Sequence, residues 1–211
     1  MTQKIKQAKD FFYNKEYRKA HKLFSEEKDY YSSGLCCLLL NKEKSAQLYW
    51  RKNCFDDPAS AWGLRILDLI HLKAPKVRPS FFQTRAFLEI YLNLFLQNEK
   101  TEWAQNLISA CDYLYQCNPE SYKFIARALY SNGYFDLAIQ FCKKTLKLFY
   151  SDPEAFLILS QCYYLIGDLG ESLDCINRVL NMVDDYYPAI IFHKILKEEI
   201  AQKRKTNPKT S

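Results

Sequence analysis

Apolar positions recur at helical spacing along most of the chain. Tyr122, Ile125, Ala126 and Leu129 fall at i, i+3, i+4 and i+7, which places them on one face of a helix. Phe156, Leu159, Ser160 and Tyr163 repeat that face 34 residues later. Gly133 and Gly167 close the two helices. Phe135 and Leu169 open the next ones, and Ala138 and Ser172 supply small residues where two helices must approach closely. The same order of events occurs twice, and a fixed period of this length marks a helical repeat.

Another 34 residues upstream the pattern persists in weaker form. Leu88, Leu92, Phe95 and Ala104 stand under Tyr122, Ala126, Leu129 and Ala138, while Glu99 occupies the place of the turn glycine. Near the N-terminus, Ala8, Phe11, Tyr17, Ala20 and Phe24 follow the same order, and Gly34, Cys37, Ala46 and Trp50 follow it again up to Pro58. Residues 59–73 form one more amphipathic stretch, ended by a loop at 74–79 whose two prolines forbid helix continuation. That stretch is either an unpaired helix or a first helix partnered by 81–97. From Pro188 a last helix, apolar at Ile190, Ile191, Ile195 and Ile200, is expected to cover the final repeat.

These residues resemble the tetratricopeptide motif, in which a large residue, a small residue, an aromatic, a turn glycine, an alanine and a closing proline recur. The resemblance implies an all-α fold, a right-handed superhelical solenoid of antiparallel helix pairs with about 11–12 helices and a C-terminal capping helix. The expected layout is one repeat domain over 1–202. Its clearest repeats are 119–152 and 153–187, its degenerate ones 1–27, 28–58 and 85–118, and its cap 188–202. Residues 203–211 read as a basic disordered tail.

Function in such folds is carried by the surface that the first helices line, so the resemblance implies an adaptor binding a peptide or helix of a partner protein. The repeat register turns Lys9, Phe12, Tyr31, Leu35 and Leu38 toward that groove in the N-terminal repeats. It turns Glu89, Asn93, Lys123, Arg127 and Tyr130 there in the middle, and Leu157, Gln161 and Tyr164 after them. Lys123, Arg127, Tyr130 and Tyr164 form the preferred contact cluster, because Tyr and Arg often dominate interface energetics. The carboxylate clamp of some tetratricopeptide co-chaperones matches poorly, since Leu157, Ile158 and Gln161 stand where its asparagine is expected. A second reading is self-association through the apolar runs 34–40 and 87–96, making a homo-oligomer.

Composition narrows the alternatives. Five glycines and seven prolines in 211 residues, 48% of them apolar, suit helices joined by short links better than turn-rich sheets. Eight cysteines include no CxxC pair and read as small core hydrophobes in a reducing compartment. Cys111 and Cys117 are spaced too widely for a structural zinc pair. His21, His71 and His193 lie in no catalytic motif, and no phosphate-loop, nucleophile-elbow or zinc-protease signature is present. The reading is therefore non-enzymatic, with no cofactor and no metal. Net charge is +6, and Lys203, Arg204, Lys205 and Lys209 raise a nucleic-acid partner as a minor alternative. With no signal-like or membrane-length apolar run, a cytoplasmic location is expected.

Overall fold

A computed structural model describes residues 2–206, with side chains through Lys203, and every regular element among them is helical. In chain order these are α1 (Gln3–Tyr13), α2 (Tyr17–Glu26), α3 (Tyr30–Leu39), α4 (Glu43–Asn53), α5 (Pro58–Ile70) and α6 (Phe81–Ala86). A π-helical turn (Phe87–Tyr91) joins α6 to α7 (Leu92–Gln97). There follow α8 (Thr101–Ser109), α9 (Cys111–Cys117), α10 (Ser121–Ser131), α11 (Phe135–Leu148), α12 (Pro153–Leu165), α13 (Leu169–Met182) and α14 (Tyr187–Thr206). The all-α expectation holds. Contacts cluster into two compact units, and each is described by itself.

The first unit takes the chain through Pro79 together with Asn98–Ala110. Three of its helices, α1, α3 and α5, start at side-chain caps. Thr2 accepts from the Ile5 amide, Asp29 from Ser32, and Asp57, just ahead of Pro58, from Ala59 and Ser60. α1 packs on α2 and α3 on α4, as the repeat order implies. The stretch at 59–73 is neither unpaired nor matched to 81–97. α5 packs on α3, α4 and α8, and Asn106 of α8 donates to the Ile70 carbonyl at 2.7 Å, satisfying a helix-end acceptor.

Trp50 fixes the centre of this unit. The indole is fully buried and donates to the Tyr31 carbonyl at 3.0 Å. A β-carbon at Gly34 or Gly63 would lie 2.3 Å from the indole ring, so α3 and α5 both need glycine to let it in.

The second unit comprises Ser80–Gln97 and the chain from Cys111 onward. The run at 81–97, capped by Ser80 and Gln83 in a reciprocal box, packs against α9 and α10. The helices expected to pair within 85–118 are thereby shared out: α7 and α9 lie in this unit and α8 in the other. Buried Asn118 secures the arrangement, donating to the Phe81 carbonyl at 3.1 Å while accepting from the Glu120 amide.

α10 pairs with α11 and α12 with α13. At the close approaches Ala126 and Ala138 are fully buried. Ser160 and Ser172 exchange hydroxyl-to-carbonyl hydrogen bonds at 2.7 and 2.8 Å. α14 closes the unit against α13, but not with the residues expected to cover it. Ala189 and Leu196 are fully buried, whereas Ile190, Ile191 and Ile195 are exposed, because the helical period turns 189, 192, 193 and 196 inward together. The helix also runs through Thr206, so 203–206 of the expected tail belong to it, and 207–211 lie outside the described residues.

Candidate functional site

The first-helix face of the second unit carries a row of ion pairs. Lys123, in the first turn of α10, is buried, and its ammonium meets Glu120 at 2.6 Å, Asp152 at 2.9 Å and Glu154 at 3.5 Å. Burial works against that charge, yet the hydrogen bonds to Glu120 and Asp152 outweigh it and push the pKa above the ordinary lysine value. One turn further along, Arg127 bridges Glu89 and Glu154 and lies 5.8 Å over the Phe124 ring. Arg85 covers Phe124 from 5.5 Å and pairs with Glu89 at 2.8 Å.

Glu89 reaches these cations from the π-helical turn. Such turns displace the ordinary backbone pairing. Here the Asn93 side-chain amide donates to the Glu89 carbonyl, and Asn132 donates to Asn93 at 2.6 Å. Three cations, Arg85, Lys123 and Arg127, thus meet four carboxylates, Glu89, Glu120, Asp152 and Glu154. The face is neutralised from within, with one negative charge in excess.

Beyond the ion pairs the face is aromatic and uncharged. Tyr130 is half-buried with its ring 6.2 Å from Phe135. Gln161 is half-buried on α12, which touches α10. Tyr164 packs edge-on against Phe192 of α14 at 5.5 Å and donates to Glu199, so it helps hold the last helix.

The expected contact residues therefore divide. Asn93, Lys123, Arg127, Tyr130, Gln161 and Tyr164 lie in the second unit, and Lys9, Phe12 and Tyr31 in the first. Lys9 is exposed, Phe12 packs edge-on against Tyr17 at 5.3 Å, and Tyr31 stacks on Trp50 at 6.5 Å. Lys123 is not a surface contact but a buried counter-ion. Leu35, Leu38 and Leu157, expected on the groove, are all buried in their units. Leu38 and the run at 87–96, the expected self-association surface, contribute core side chains: Leu38, Phe87, Leu88, Leu92 and Phe95 are fully buried. Apolar runs pack inward on more than one face when a helix has neighbours on both sides. The sequence reading overlooked Asp152 and Glu154, although an Asp-Pro helix start at 152–153 signals them: it sets carboxylates at the head of the next first helix, level with Lys123 and Arg127.

The thiols are spent on packing. Cys36, Cys37, Cys111, Cys142, Cys162 and Cys175 are buried, and burial pushes Cys36 and Cys162 up to about 12. Among the described residues no three His, Cys, Asp or Glu side chains converge as metal ligands, and no helix is long and apolar enough to cross a membrane.

The two clearest pairs share period, left-handed turn glycines at φ +80° and +89°, and a small-residue close approach. In these features they resemble tetratricopeptide pairs. No protein-family model matches the sequence, and no curated protein matches it. Solved structures do match. The C-terminal part of a TPR repeat-containing protein from Cytophaga hutchinsonii is 17% identical, with a TM-score of 0.49 over 95% of this chain and 73% of that one. YrrB, described as a TPR protein with an unusual peptide-binding site, is 14% identical, with a TM-score of 0.44 over 90% of each chain. PilW, described as a widely conserved type IV pilus biogenesis factor, is 17% identical, with a TM-score of 0.40 over 100% of this chain and 97% of that one.

Proposed function

We propose that this chain is a non-enzymatic adaptor of the reducing cytoplasm that holds a segment of another protein against the first-helix face of its second tetratricopeptide-like unit. The observation that carries the reading is the internal neutralisation of Lys123 and Arg127 by Glu89, Glu120, Asp152 and Glu154. An acidic chain terminus would have to displace carboxylates already in place, at the cost of stranding buried charge. The surface better suits an uncharged or mildly basic segment that meets Tyr130 and Gln161.

The test is affinity capture from the native cytoplasm with wild type and Tyr130→Ala/Gln161→Ala, at matched helicity. A protein retained by wild type and lost from the double variant is the expected outcome. Retention of the same set by both versions sinks this face as the binding site. Arg127→Ala is unsuited to this test, because it strands Glu89 and Glu154 and perturbs the fold as well as the surface.

A further inference from the structure

α14 carries an apolar stripe that nothing among the described residues of its own unit covers. Tyr187 is 70% exposed, Ile191 43% and Ile195 47%, with Ile190 beside them at 43%. At 3.6 residues per turn, positions 187, 191, 195, 198 and 202 run along one side of the helix. At its far end lies an open depression of about 480 Å³ lined by Ile195, Glu198, Glu199, Gln202 and Lys203. Ile195, Glu198, Glu199 and Gln202 stand at i, i+3, i+4 and i+7, the four-residue diamond into which a facing helix inserts one side chain.

We infer that this surface binds a second copy of the same chain, α14 against α14 and antiparallel, with Tyr187 of each copy seated in the diamond of the other. The stripe supplies both halves of the fit. A two-fold axis crossing α14 near residue 193 brings Tyr187 level with residue 199 of the second copy and sets Ile191 opposite Ile195. Knob and hole lie on one helix about 18 Å apart, so both engage at once only in this antiparallel arrangement.

Charge points the same way. Exposed Asp184 and Asp185 precede the stripe, while in its second half three lysines, Lys194, Lys197 and Lys203, outnumber Glu198 and Glu199. Antiparallel pairing sets the acidic end of each helix beside the basic end of the other, and parallel pairing would set like against like. The buried side of α14 is already committed to its own unit through Ala189, Leu196 and the Tyr164–Phe192 contact, so dimerisation needs no rearrangement. One helix per copy makes a small interface, and the dimer forms reversibly with concentration.

Sedimentation equilibrium of the full chain tests this. Wild type is expected to pass from the mass of one chain to that of two as concentration rises. Tyr187→Ala should weaken the dimer at least about tenfold, because two-fold symmetry removes the aromatic knob from both ends of the interface at once. Ile195→Glu should abolish it, and Leu148→Glu, at an exposed apolar position on α11, should leave it intact. These side chains are exposed, and circular dichroism confirms that the variants keep wild-type helicity. A wild type that stays monomeric at every concentration overturns the proposal, as does a Tyr187→Ala protein that dimerises like wild type. Tyr130→Ala/Gln161→Ala should leave the mass unchanged, so failure here and failure of the binding-face reading are separate results.

Discussion

Leu72 ends α5 with φ at +56°, in the left-handed region where a β-carbon crowds the following carbonyl. Lys15, Lys28, Asn41 and Glu99 close other helices in the same conformation, and Gly133 and Gly167 do so without the crowding. The missing turn glycine at Glu99 therefore signals strain rather than a missing turn. Leu72 is exposed, so replacing it removes little packing. Leu72→Gly is expected to stabilise the chain by about 0.5–1 kcal/mol, the crowding relieved less the entropy a new glycine costs. Urea unfolding measures this as a raised midpoint at constant slope, and an unchanged or lowered midpoint refutes it.

At the scale of elements, the second unit solves one packing problem in two ways. α10 and α11 meet through Ala126 and Ala138, while α12 and α13 meet through Ser160 and Ser172 and their exchanged hydrogen bonds. Ser160→Ala or Ser172→Ala alone should cost about 1 kcal/mol, one buried hydrogen bond each. The double change should cost less than the two together, because both single changes lose the same 3.2 Å contact between the hydroxyls and paired alanines already suit the equivalent approach. Strictly additive losses in a double-mutant cycle would count against that account. The helices themselves were legible in advance from the 34-residue period and from the two prolines that interrupt the chain at 74–79. The partner of α5 was not, because a helix apolar at Ile66, Leu67, Leu69 and Ile70 suits several neighbours equally.

For the molecule as a whole, four shifted groups give acid sensitivity with one sign. Burial, chiefly, with a nearby lysine adding, holds His21 and His193 below the ordinary value of 6.5, and the buried Nε2 of His193 has no hydrogen-bond partner among the described residues. The unfolded chain then binds more protons than the folded one, so this stability is full above 6.5 and is lost as pH falls. Glu26, hydrogen-bonded to Lys4, and Glu199, hydrogen-bonded to Tyr164 and Lys203, lie below the ordinary 4.5. Their contribution is present above that value and fades at lower pH. The urea midpoint should therefore drop from neutral pH to about 5, where histidine charges, and again in stronger acid. His193→Leu should flatten the first drop, and a slope as steep as that of wild type would exclude His193 as a source.

The sequence by itself determined the helical class, the 34-residue repeats at 119–187, their turn glycines and the burial of most thiols. Each follows from local periodicity, backbone sterics or side-chain polarity within a few residues. Tertiary structure alone decided that Lys123 is buried among carboxylates, that α5 packs on α8, and that α14 turns Ile191 and Ile195 outward. Those outcomes depend on which elements meet. Lys123 reads as a solvated charge until Asp152, 29 residues away, is folded against it, and an apolar helix does not specify which side its neighbour will cover.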